Sequence, residues 1–161
     1  MNIVTMAARW LDAIPYSLIA LFLRIVAAHP FFVSGQTKIE GPTVGREFLG
    51  LDLSFQIPTS VRDSALALFA DEYRVPLISS TVAAYAASAI ELLLPVLLFI
   101  GLLTRLSAFG LLIMTMVIQI FVYPDAWWTV HAYWTAILIV LIARGPGAIS
   151  LDHLLFRRRS A

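Results

Sequence analysis

The chain contains no cysteine. That absence excludes disulfides, thiol relays, iron–sulfur clusters and thiolate metal sites. Any electrons passing through the protein must be carried by a bound cofactor or a partner. Charge is also scarce. Only 13% of the 161 residues are charged, against about 25% in an average soluble domain. The net charge of +1 makes nucleic acid a poor partner. No cleavable leader is read at the start of the chain either. Residues 1–14 are too polar for one, and Ile3, Ala7, Trp10, Leu11 and Ile14 share one helical face. That pattern fits a short helix lying on a membrane surface.

What the chain has in excess is apolar surface. Hydrophobic residues make up 60% of it, and the mean hydropathy is +0.88. The excess falls into four long runs, read as membrane spans over about residues 15–38, 80–103, 106–123 and 127–143. Tyr123, Trp127, Trp128, Tyr133 and Trp134 resemble an interfacial aromatic belt. The fold class read from this pattern is all-α, a four-helix transmembrane bundle forming one integral membrane domain over residues 1–161.

Basic residues set the expected orientation. Arg9, Arg105, Arg144, Arg157, Arg158 and Arg159 fall on one side, against Asp12 and Asp152. The other side carries Lys38, Arg46, Arg62 and Arg74 against seven carboxylates. The positive-inside rule puts both termini in the cytoplasm. The terminal arginines also suit anionic lipid. The outer segment, about residues 41–79, is too long and too apolar for a simple linker. Leu51, Leu53, Phe55 and Ile57 alternate with Asp52, Ser54 and Gln56, which reads as extended chain. Ser60-Val61-Arg62-Asp63 reads as a capping box opening a short amphipathic helix that buries Val61, Ala65, Leu68 and Phe69. The segment is expected to fold as a cap on the bundle.

Arg24 and Glu91 are the candidate catalytic residues. Each sits near the middle of a span, where a charge costs at least about 2.5–3.5 kcal/mol and usually faces the bundle interior. Arg24 lies about 13 Å into the first span, and Glu91 about 17 Å into the second from the opposite side. Their matched depth predicts that they meet across adjacent antiparallel helices. The pair could be a register device without chemistry, or a functional site.

A second cluster is read in the outer half. His29 and Gln36 are seven apart and share a helical face. Gln119 and His131 fall at a similar level in the third and fourth spans. Imidazole and amide donors beside Phe31, Phe32, Phe121, Tyr133 and Trp134 suit a quinone head group, so these four are the candidate cofactor contacts. Each could instead be a satisfied interhelical hydrogen bond. His29 and His131 as haem or copper ligands lack a supporting signature. No metal site is therefore read. His153 lies beyond the fourth span and reads as surface charge. Pro30 and Pro95 fall inside spans one and two and are expected to kink them.

Several fragments together resemble the DoxX family of small four-span bacterial membrane proteins. They are Leu23-Arg24, then Ser34-Gly35-Gln36-Thr37-Lys38; Glu91-Leu92, then Gly101-Leu102-Leu103-Thr104-Arg105; and Gly145-Pro146-Gly147, then Ser150-Leu151-Asp152. The family often has a small residue shortly after the glutamate, where this chain has Leu94-Pro95. The resemblance implies a membrane subunit of a quinone-linked oxidoreductase, or a membrane partner of a soluble redox enzyme. It implies the bacterial inner membrane, quinone as cofactor, a partner redox protein as electron source and, as an option, a homo-oligomer. The rival readings are a non-enzymatic scaffold for a redox or maturation protein, and a small transporter using the central charges as a coupling site.

The charge asymmetry makes the orientation testable. A carboxy-terminal fluorescent fusion should be bright and a carboxy-terminal periplasmic phosphatase fusion inactive. The reverse result would invert the bundle.

Overall fold

The computed structural model describes residues 12–48, 51–52, 54–73 and 76–156. The expected surface helix of residues 1–14 lies almost wholly outside the described residues, as do Leu53, Arg74 and the arginines 157–159.

Among the described residues, four helices are long and apolar enough to cross a membrane. They are α1 (Tyr16–Thr37), α3 (Ser80–Ile100), α4 (Thr104–Phe121) and a fourth segment, Pro124–Arg144. The last is a 3-10 turn, a π turn over Trp127–His131 and the helix α5 (Ala132–Arg144). Consecutive spans pack pairwise, and α5 closes the bundle against α1. The expected all-α four-span architecture is present, with span limits within a few residues of those read from the sequence. α1 and α3 are unbroken through Pro30 and Pro95.

Small residues explain the tight α1–α3 contact. α1 buries Ala20, Ala27, Ala28 and Gly35, and α3 buries Ala83, Ala84, Ala87 and Ser88. Close backbone approach of this kind drives association where lipid removes the hydrophobic incentive. The large side chains Phe22, Leu93 and Phe99 point outward instead.

The cap is a two-stranded ribbon followed by a helix. Three antiparallel pairs nest inside one another: β1 (Ile39–Glu40) with β6 (Ser60–Val61), β2 (Thr43–Val44) with β5 (Phe55–Gln56), and β3 (Glu47–Phe48) with β4 (Leu51–Asp52). The extended reading of this stretch is therefore correct. The capping box is not. Ser60 pairs with Glu40 in the ribbon, and α2 (Asp63–Leu68) starts after Arg62 without a side-chain cap. Strand pairing claims the serine before the helix begins. Of the four side chains expected inside, Ala65 and Phe69 are buried, while Val61 and Leu68 are half-buried. A π turn, Phe69–Tyr73, then packs Phe69 against Ala83, Ala84 and Ala87 of α3.

The opposite end is locked by the tail. α3 closes in a Schellman motif: Gly101 is left-handed at φ 71°, its N–H reaches Leu98 O at 3.2 Å, and Leu102 N–H reaches Leu97 O at 2.9 Å. α4 has no side-chain cap of its own. Asp152, on the terminal helix α6 (Leu151–Phe156), supplies one. Its two carboxylate oxygens accept from Leu103 N–H at 2.7 Å and Thr104 N–H at 2.9 Å. An anion at a helix N-terminus also complements the dipole.

Asp152→Ala should lower stability by about 1–2 kcal/mol, the range for losing a helix cap. Asp152→Asn should lose less. Thermal unfolding in detergent measures both, and an unchanged midpoint for the alanine variant would refute the capping role.

Candidate functional site

The α1–α3 register fixes where the buried charges go. A Cβ added to Gly35 would stand 3.0 Å from both the carbonyl carbon and the oxygen of Glu91. Gly35 therefore lies against the Glu91 backbone. At the other end, a Cβ on Gly101 would stand 1.9 Å from Arg24 Nη1. Glu91 is level with Gly35, and Arg24 lies about 16 Å further along α1.

The expected Arg24–Glu91 pair is not formed. The sequence estimate takes the start of α3 to be level with the end of α1, but the first two turns or so of α3 extend past the end of α1 and carry the cap. Side-chain direction widens the gap. Helical side chains lean toward their own N-terminus, so on antiparallel helices these two diverge. Arg24 reaches toward the terminal end, where its Nη2 donates to Ile149 O. Its Nε and Nη1 are buried without a partner among the described residues.

Glu91 instead pairs with Lys38. Lys38 Nζ lies 2.6 Å from Glu91 Oε2, with the two side chains only 9% and 5% exposed. Nζ also donates to Ser34 Oγ at 2.8 Å and Ser34 O at 3.3 Å. All three ammonium donors are used. On the glutamate, only Oε2 is engaged among the described residues. Among the described residues this is the one side-chain ion pair within 4.0 Å.

The pair lines a cavity of about 260 Å³. Its walls come from α3 and α4, including Ala87, Ile90, Ile113 and Met114, and its cap side from Phe69, Tyr73 and Tyr123. The two tyrosine hydroxyls stand 3.5 Å apart, and their rings meet edge to face at 6.3 Å. Burial, then the hydrogen bond to Tyr123, raises the Tyr73 phenol above its ordinary value. It therefore stays a neutral donor at physiological pH.

The four expected ring contacts do not share one pocket. His131 and Gln119 do meet: His131 Nδ1 lies 2.6 Å from Gln119 Oε1, and Gln119 Nε2 donates to Pro124 O at 2.5 Å. This clasp ties the end of α4 to the π turn that opens the fourth span. The His131 imidazole lies 5.3 Å from Trp134, which in turn lies 4.9 Å from Phe31. Gln36 is a cap anchor. It accepts from Gln56 N–H at 2.5 Å and donates to Gln56 O at 3.3 Å. His29 is exposed in a separate groove of about 430 Å³ with Phe32, Phe55 and Phe99. His29 and Gln36 do share a face, crossed by the cap at residues 54–56.

The family model described as DoxX matches residues 19–124, more than half of the chain. The chain belongs to the DoxX family. Comparison with curated proteins and with solved structures gives no match. The DoxX match takes in Arg24, Lys38 and Glu91, and it stops before His131 and the tail from Gly145 to Asp152. Lys38 is the partner that the depth argument misses. A usable signal was present, since it is the only lysine in this DoxX chain, directly at the end of a span.

Removing one partner of a buried pair strands the other and costs about 3–5 kcal/mol. Lys38→Met and Glu91→Gln should each destabilise strongly, and the double variant should lose less than their sum. Arg24→Gln combined with Glu91→Gln should be additive within about 0.5 kcal/mol. Thermal unfolding of the five variants checks this; coupling between Arg24 and Glu91 would contradict the observed pairing.

Proposed function

We propose that this DoxX protein is the membrane subunit of a bacterial quinone-linked oxidoreductase, with the Lys38–Glu91 cavity as its quinone site. The observation carrying this reading is a buried ion pair on the wall of an otherwise apolar cavity. Pockets of this kind, with a few convergent polar groups, are the usual sites for small ligands. The volume is near the small end of that class and suits one ring, with its isoprenoid tail running between α3 and α4. The family resemblance supports the same ligand chemistry.

Quinone supplies two-electron, two-proton redox chemistry when bound. The chain's part is to hold the ring and manage a proton. Lys38 orients Glu91 through Oε2 and leaves Oε1 as the proton-exchanging atom. Tyr73, a neutral donor on the cap side, can hold a carbonyl oxygen. The apolar walls exclude water and strengthen these polar contacts. Electrons come from a partner protein, because no redox group of the chain's own is available. The bacterial inner membrane, with both termini in the cytoplasm and the cap outside, completes the proposal. A scaffold role is the second reading, favoured by the exposed carboxylates Asp63, Asp71 and Glu72 on the cap. The transporter reading loses its coupling pair, since Arg24 and Glu91 are apart.

Quinone retained per mole of detergent-purified protein tests the proposal. Tyr73→Phe and Glu91→Gln should each reduce retention severalfold, whereas His29→Ala should not. Full retention by a folded Glu91→Gln protein would move the site elsewhere, and no retention by the parent would favour the scaffold.

A further inference from the structure

The terminal end of the bundle carries a second and larger concavity, a groove of about 770 Å³. It lies between the α3–α4 turn, the loop after α5 and the helix α6. Its lining is largely apolar, with Leu103, Leu106 and Phe156 all exposed to the surroundings. Three ionisable side chains decide its sign: Arg105, Asp152 and His153. Asp152 is committed. Both of its oxygens already accept from the N-terminus of α4, at 2.7 and 2.9 Å. Arg105 is exposed and, among the described residues, forms no ion pair and makes only a long 3.5 Å contact with Ala143 O. Its guanidinium leans over Gly145, where an added Cβ would stand 3.3 Å from Nε. That brings it beside the end of α5, where Arg144 is also exposed, stacked 4.9 Å above the Tyr16 ring. Two guanidinium groups thus stand at the rim of the bundle, neither within 4.0 Å of a carboxylate among the described residues.

The apolar part of the groove does not end at the rim. Leu106, Phe109 and Ile113 are exposed at helical spacing along α4, and Ile120 continues the same stripe. From Leu106 to Ile120 the stripe is about 21 Å long, more than the roughly 15 Å depth of one leaflet. A cationic head joined to a leaflet-long apolar track matches one molecular shape. We propose that this groove seats one anionic phospholipid, with its phosphate on Arg105 and an acyl chain along the Leu106–Phe109–Ile113 stripe. Arg144 adds to the local potential without lining the groove. A free anion would use the arginine but not the stripe, and a zwitterionic lipid the stripe but less of the charge. The head-group end of this site lies at the opposite end of the bundle from the Lys38–Glu91 cavity, and the two meet only at Ile113, which lines that cavity too.

Native mass spectrometry of the full chain from mixed micelles tests the proposal. The probes are phosphatidylglycerol and phosphatidylcholine of the same chain length. The parent should retain phosphatidylglycerol about tenfold more than phosphatidylcholine, as expected for a charge-assisted contact. Arg105→Gln should erase most of that preference while leaving the fold intact, because the side chain supports no buried contact. Should the variant fail to fold, the parent's lipid ratio decides alone. Equal retention of the two lipids by the parent would overturn the proposal. So would an unchanged preference in a folded Arg105→Gln protein, or displacement of the lipid by equimolar inorganic phosphate.

Discussion

The bundle is organised by how closely α1 and α3 approach. Gly35 stands against the backbone of Glu91, and no larger residue fits there without displacing one helix. That contact sets the vertical offset between the two spans. It raises the start of α3 above the end of α1, giving the cap a helical post to pack on through Phe69. It also brings Lys38 down to Glu91 and sends Arg24 to the far end. The alanines along both helices extend the same close approach over several turns.

Each end of this helix pair is then closed by polar contacts between residues far apart in sequence. At the cap, Lys38 binds Glu91 and Gln36 binds both backbone groups of Gln56. At the terminal end, Arg24 donates to Ile149 O, and Asp152 caps α4 while its own N–H reaches Gly101 O at 2.8 Å. The tail is therefore part of the bundle. Its Ser150-Leu151-Asp152 run enters the sequence reading only as a fragment of the family resemblance, and in the structure it satisfies a helix start that local sequence leaves uncapped.

The spans were legible in the sequence because hydropathy over about twenty residues is a strong local signal. So was the extended cap, from its alternating pattern. The polar partners were not. Depth counted from a span's own start carries no information on how far one helix is offset from its neighbour. Glu91 reads as unusual from its depth, yet its partner is a lysine that the sequence places at the outer end of the first span and gives no inward role. Gln119 and His131 were placed at one level and do meet, whereas His29 faces outward on another side of α1. Spacing along one helix predicts a shared face; it does not say which faces of different helices converge.

The offset of α3 has one more consequence. Glu91 sits level with the last turn of α1, at the cap end of that span rather than midway along it. A charged pair near the end of a span loses less hydration than one buried about 15 Å deep. On the proposed reading, a proton exchanged at Glu91 would have the tyrosine-lined roof of the cavity between it and the cap side, and no second buried carboxylate among the described residues would be needed to relay it.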